Sequence, residues 1–208
     1  DVEGGQATLM VTPAGESLLV DAGYGGRAGV RDPERILEVI RHAGLDRIDY
    51  LLITHFHPDH AGGVPELASR IPIGTFIDYG DPLGIDRMVT GTFRNYEPVR
   101  GSNRHIQPQP GDRLPLNGME ADVVSAGGSL RSTPLDDGDQ HNDACANAED
   151  YVEDGTENFR SIGVMFRFGM FRFLDLGDLS GNTLTRAVCP KNLLGTASVY
   201  LISHHGDY

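Results

Sequence analysis

Apolar positions along this chain fall in short runs closed by Gly, Pro and Asp, a pattern of strands with a few helices between them. Residues 8–12 and 17–21 read as two strands joined at Pro13-Ala14-Gly15, a hairpin signal. Asp32 suits an N-cap with Pro33 at the first helical position, and Ile36, Leu37 and Ile40 then share one face until Gly44 ends the helix. Residues 48–53 are too short and too apolar for an amphipathic helix and suit a buried strand. A helix from about residue 60 to 69 turns Val64, Leu67 and Ala68 inward and stops before Pro72. Residues 73–77 read as strand, 86–94 as helix, and 105–107 and 119–124 as strands. Two apolar strands, 162–168 and 171–176, flank a hairpin turn at Gly169; a helical turn at 183–188 and a last strand at 198–202 complete the series.

Between residues 132 and 159 the periodicity fails. Asp136, Asp137, Asp139, Asp143, Glu149, Asp150, Glu153, Asp154 and Glu157 occur there with no Lys or Arg among them, and Gly138 and Gly155 interrupt any helix. The spacing matches no calcium-binding loop. The segment reads as an acidic, solvated surface insertion in a single domain covering residues 1–208. That length can bury a sizeable core. No apolar run is long enough to span a membrane. The chain lacks an initiator Met, begins as if approaching an inner strand and stops just after a histidine pair. It therefore reads as an internal fragment of a longer precursor, truncated at both ends, in which any signal peptide lies out of view.

The formal net charge is −13, and Lys191 is the sole lysine. Affinity for nucleic acid comes largely from cationic side chains that displace counterions, so a polyanionic substrate is disfavoured and a small-molecule substrate favoured. Two bound dications would locally reverse that field. Cys145 and Cys189 are far apart and distant from any histidine motif, which argues against a catalytic thiol. A disulfide and two buried free thiols both remain open, as do compartment, cytoplasmic or exported, and oligomeric state.

The densest chemistry lies at residues 54–63, Thr-His-Phe-His-Pro-Asp-His-Ala-Gly-Gly, directly after the apolar run at 50–53. Packing does not call for His55, His57, Asp59 and His60 within six positions, whereas a borderline metal such as zinc does. A strand stopping at Thr54 places His55 and His57 on a turn beyond the sheet and Asp59 and His60 near the next helix. His55 and His57 can then face one metal position, and Asp59 and His60 a second.

His-X-His-X-Asp-His followed by Ala-Gly-Gly resembles the signature of the metallo-β-lactamase superfamily. Other segments agree in order and kind. Leu18 to Gly23 resembles the early strand and Asp-X-Gly turn of that fold, and Phe173 to Asp178 the later strand whose Gly-Asp supplies a bridging carboxylate. Val199 to Gly206, ending Ser-His-His-Gly, resembles the strand that delivers the last histidine. The resemblance implies an α/β fold, an αββα sandwich of the metallo-β-lactamase type. It also implies a dinuclear site held by His55, His57, Asp59, His60, Asp178, His204 and His205. Asp178 would be the bridge in preference to Asp175, which alternation turns into the sheet layer. Its strand brings it to the same sheet edge as His55 if both strands are parallel and in phase. Thr54 and Asp21 would fix imidazole tautomers from behind the ligands.

One piece departs from the common pattern. A histidine expected around residues 115–145 is missing, His141 in the acidic segment being the one imidazole there. The chain thus looks more like the branch with His-His-Gly after the last strand, which includes metallo-hydrolase domains of competence-type DNA-uptake proteins and choline-phosphate esterases. In that branch His204 and His205 would together replace the missing ligand. The resemblance implies a metal-dependent hydrolase with two divalent ions, zinc by default and manganese or iron as alternatives. A metal-activated hydroxide would attack a small or medium ester or phosphodiester, with Asp59 and Asp178 as the catalytic carboxylates. A nuclease on the same fold is the second enzyme reading. A di-iron redox protein and a non-catalytic metal-binding module are readings of another class.

Overall fold

The first apolar runs form a hairpin: β1 (Thr8–Val11) pairs antiparallel with β2 (Ser17–Val20) in the computed structural model, which describes residues 2, 4–25, 31–147 and 156–206. Gly26 of the loop after β2, and Glu149, Asp150, Glu153 and Asp154 of the acidic segment, lie outside the described residues. The chain divides into two units, Asp1–Gln107 and Pro108–Tyr208.

In the first unit, α1 (Arg31–His42) leads to β3 (Ile48–Leu52), and two short helices, α2 (Pro58–Ala61) and α3 (Val64–Ala68), lead to β4 (Ile73–Ile77). Helix α4 (Arg87–Arg100) leads to β5 (Arg104–Ile106). The sheet order is β1-β2-β3-β4-β5, and every pairing after the hairpin is parallel, as helical crossovers require. The register aligns Val20 with Leu52, Leu52 with Ile77, and Ile77 with Ile106. These strands therefore end together, and Asp21, Ile53 and Asp78 are the next residues out at their carboxyl edge. Open parallel sheets bind ligands at that edge.

Asp32 departs from the expected N-cap role. Helix α1 already includes Arg31, and the fully buried Asp32 carboxylate accepts the backbone N–H of Tyr24 at 3.0 Å. It anchors the turn after β2 instead of its own helix end. The single helix expected from residue 60 to 69 is two, because Gly62 and Gly63 let another strand of backbone pass. A Cβ on Gly63 would stand 2.1 Å from the Ala22 carbonyl oxygen. The helix expected at 86–94 runs on to Arg100, burying Thr92, Phe93 and Tyr96.

In the second unit the strands are β6 (Glu120–Ala126), β7 (Ser129–Leu130), β8 (Gln140–His141), β9 (Gly163–Phe168) and β10 (Phe171–Asp175). Helix α5 (Gly181–Val188), β11 (Lys191–Asn192) and β12 (Val199–Leu201) follow. The order is β12-β10-β9-β6-β7, antiparallel except that β12 runs parallel to β10, while β8 and β11 form a separate small ribbon. Val124, Met165, Leu174, Leu176, Leu179 and Leu194 make its core together with Leu135 from the acidic segment.

That segment is tied down more than its sequence suggests. Arg167 holds Asp136 at 2.6 Å, Arg172 holds Asp137 at 2.5 Å, Lys191 holds Asp139 at 2.8 Å, and Cys145 is disulfide-bonded to Cys189. Among the described residues no helix is long and apolar enough to cross a membrane.

Candidate metal centre

The motif's backbone leaves the first sheet and is immediately stitched to the turn after β2. The Ile53 N–H still donates to Ile77 O at 2.9 Å, but the next donor, Thr54 N–H, goes to the Asp21 carboxylate at 2.8 Å. The Ala22 N–H donates to His60 O at 2.7 Å and the Gly63 N–H to Gly23 O at 2.9 Å. Phe56, between the first two histidines, points the opposite way and is fully buried against Phe93, Tyr79 and Tyr96, with ring centroids 4.8, 5.0 and 5.2 Å away. An apolar anchor between His55 and His57 thus presses both imidazoles to the other side of the turn.

Hydrogen bonds behind the imidazoles decide which nitrogen keeps its lone pair. Asp21, fully buried, receives the Thr54 hydroxyl at 2.7 Å on Oδ2, and His60 Nδ1 lies 2.7 Å from the same oxygen. An ionised carboxylate only accepts, so His60 carries its proton on Nδ1 and its lone pair on Nε2, 3.6 Å from Asp59 Oδ2. With its own proton committed to Asp21, the Thr54 oxygen can only accept from His55 Nδ1, 3.2 Å away, which leaves the His55 lone pair on Nε2. His57 Nε2 lies 3.0 Å from Asp86 Oδ2, so its lone pair falls on Nδ1. His55 Nε2 and His57 Nδ1 face each other at 2.9 Å. Two lone pairs at that distance repel unless a proton or a cation lies between them. This donor set of imidazoles with one carboxylate fits a borderline divalent cation.

Asp21 sits at φ 58°, in the left-handed region that Asp and Asn tolerate better than other residues with a Cβ. Asp86 is held below the usual carboxylate range. Burial opposes its ionisation, but the hydrogen bond to His57 and those from the Met88 and Val89 N–H groups outweigh it. The Tyr24 phenol is pushed up by burial first and then by the charges of Asp59 and Asp32.

In the second unit the parallel pairing of Asp175 with Leu201 brings the two following turns to one edge. There His205 Nε2 is 3.5 Å from Asp178 Oδ2. Asp175 is buried and accepts the Gly177 N–H at 3.0 Å. His204 and His205 both occupy the left-handed region, at φ 51° and 54°, and their rings lie 6.3 Å apart. His204 contacts Asn158 at 3.2 Å through Nε2, while its buried Nδ1 has no hydrogen-bond partner among the described residues. His141 stands exposed on β8, with Asp143 at 3.5 Å. His105 Nε2 is 3.0 Å from the buried Asp78. The expectation that Asp178 shares a sheet edge with His55 is corrected by the topology, since β3 and β10 belong to different sheets. Asp86 and Asn158, the partners of His57 and His204, were not among the residues that the sequence pointed to. Asp86 was visible only as the start of a helix.

The sequence profile of the metallo-beta-lactamase superfamily matches residues 1–134, and the chain belongs to that family. A lactamase-like protein, aptB, of Emericella nidulans is 40% identical over 68 residues, which are 33% of this chain and 21% of that protein. A ribonuclease Z of Bradyrhizobium diazoefficiens is 31% identical over 128 residues, 58% of this chain and 36% of that protein. These matches thus span a minor part of either relative. Zinc-bound PqqB of Methylobacterium extorquens superposes with a TM-score of 0.55 at 15% identity, covering 95% of this chain and 59% of that one, a likeness of fold alone.

Proposed function

We propose that this chain is a metal-dependent hydrolase acting on a small or medium ester or phosphodiester. The supporting observation is the set of buried and partly buried hydrogen bonds that leaves lone pairs on His55 Nε2, His57 Nδ1 and His60 Nε2. Purely structural histidines have no need of such convergence. His55 and His57 would hold one cation and Asp59 and His60 a second; in the second unit Asp178 and His205 are the candidate donors. His204, whose buried Nδ1 lacks a partner among the described residues, is the further imidazole on offer. Zinc is the first expectation for this donor set, with manganese or iron as alternatives.

When bound, such cations supply Lewis acidity and bring the ionisation of water toward neutral pH. The chain's own residues do the rest. Asp59, partly exposed beside His60, orients the attacking water and accepts its proton. Asp21 and Thr54 keep the His55 and His60 rings from rotating or exchanging tautomers.

A net charge of −13 with a single lysine favours a small substrate. Ribonuclease action is the second reading, favoured by the 31% identity to a protein named ribonuclease Z. The deciding experiment is a panel of chromogenic esters, lactones, β-lactams and phosphodiesters run beside structured and single-stranded RNA, with zinc or manganese and with a His57→Ala control. Reporter cleavage that needs His57 is expected. RNA cleavage faster than every reporter establishes the second reading. Stoichiometric metal with no cleavage leaves a binding module, and metal-free protein of unchanged behaviour overturns the proposal.

A further inference from the structure

Asp86 holds two partners on its two oxygens. Its Oδ1 caps α4, accepting the backbone N–H of Met88 at 2.7 Å and of Val89 at 3.4 Å. Its Oδ2 reaches back 29 positions to His57 Nε2 at 3.0 Å. A helix cap needs only the first oxygen, and Ser, Thr or Asn would serve as well. The second contact therefore calls for its own explanation.

His57 needs such a partner. It is the N-cap residue of α2, yet its side chain makes no capping bond, so nothing in its own helix fixes the ring. On the motif side its Nδ1 faces His55 Nε2 at 2.9 Å. A ring flip would exchange Nδ1 for carbon at that point and remove a ligand atom. The carboxylate of Asp86 blocks the flip and holds the proton on Nε2, which leaves the lone pair on Nδ1. Metal-binding imidazoles commonly hand their distal N–H to a carboxylate, which orients the ring and raises its basicity.

We propose that Asp86 is a positioning residue for the metal centre, holding His57 in the rotamer and tautomer that present Nδ1 to a divalent cation. This rests on the reading of His55 and His57 as ligands. It also makes the turn before α4 part of the site: whatever displaces the first turn of that helix loosens His57.

The test separates the cap from the imidazole contact. Asp86→Ser keeps a good cap but is too short to reach His57. Asp86→Asn that keeps the cap on its carbonyl oxygen turns its amide N–H toward His57 Nε2, which forces the proton onto Nδ1. Zinc dissociation constants are measured by chelator competition on metal-stripped full-length chain, with thermal melts of the same samples. Both variants are expected to bind zinc about 10- to 100-fold more weakly, with Asp86→Ser melting within a few degrees of wild type. Zinc affinity equal to wild type in Asp86→Ser overturns the proposal. Nitrogen-15 NMR of the unsubstituted, metal-free protein gives a test that no folding defect can blur. A His57 imidazole protonated on Nε2 is expected, and one protonated on Nδ1 overturns the assignment. A wild-type chain that takes up no zinc removes the ligand reading itself, a result distinct from a wild type that binds while the variants bind equally.

Discussion

Replacing Asp21 by Asn tests whether the site is built from hydrogen-bond polarity or from charge alone. The residue is fully buried, and all three of its partners donate: Thr54 N–H at 2.8 Å, the Thr54 hydroxyl at 2.7 Å and His60 Nδ1 at 2.7 Å. An amide offers one oxygen and one NH2. If its oxygen stays on Thr54 N–H, the NH2 faces His60 Nδ1 and drives the proton to Nε2, the atom next to Asp59. If the amide turns over, two N–H donors meet at Thr54 instead. Either way one buried donor loses its acceptor, which costs about 1–3 kcal/mol. The removal of a buried ionised group partly offsets this. At about 2–4 °C per kcal/mol for a chain of this size, the metal-free Tm should fall by roughly 2–12 °C. Zinc affinity should fall about 10- to 100-fold, as for other losses of an imidazole's outer partner. Asn tolerates the left-handed backbone at φ 58°, so the effect reports the side chain. Asp21→Ala should be worse by about another 1–2 kcal/mol of backbone strain. Circular-dichroism melts in chelator and a zinc competition titration read both quantities. An Asp21→Asn protein with wild-type Tm and wild-type zinc affinity would refute the tautomer argument.

Gly63→Ala should lower Tm by several degrees and weaken zinc uptake, because its Cβ would stand 2.1 Å from the Ala22 carbonyl oxygen and overpacking of that kind costs about 1–3 kcal/mol or more. Gly91→Ala in α4, where nothing lies within 4 Å of the added carbon, should instead raise Tm. The Asp137 carboxyl is held down to about 2 by the Thr196 hydroxyl, against some burial, with Arg172 assisting. A folded pKa below the unfolded value adds stability that is present above about pH 4 and is lost as pH falls toward about 2. The Tm gap between wild type and Asp137→Asn should therefore be widest near neutrality and close on acidification; a gap that widens in acid would contradict the Arg172 and Thr196 contacts.

What could be read in advance depended on whether the determining contacts were local. Residues 73–77 read as a strand from five positions of sequence and are β4. Asp178 was preferred to Asp175 by the family resemblance together with alternation; Asp175 is buried and accepts the Gly177 N–H. Thr54 and Asp21 were expected behind the imidazoles, and the parallel register of Val20 with Leu52 brings the two together. Contacts reaching far along the chain left no local trace. The break between α2 and α3 exists because the backbone at residues 22–25 runs against Gly62 and Gly63, which no periodicity within 60–69 reveals. The acidic segment looked unpaired because its cations, Arg167, Arg172 and Lys191, lie 31 to 52 residues further on. Its two-way cysteine question was likewise settled by a partner 44 positions away. Asp86 shows the same limit in the metal centre itself. An Asp before a helix has an ordinary explanation as a cap, and that explanation is correct for one oxygen. The other oxygen serves an imidazole 29 residues upstream, a use invisible until α4 is placed beside the motif.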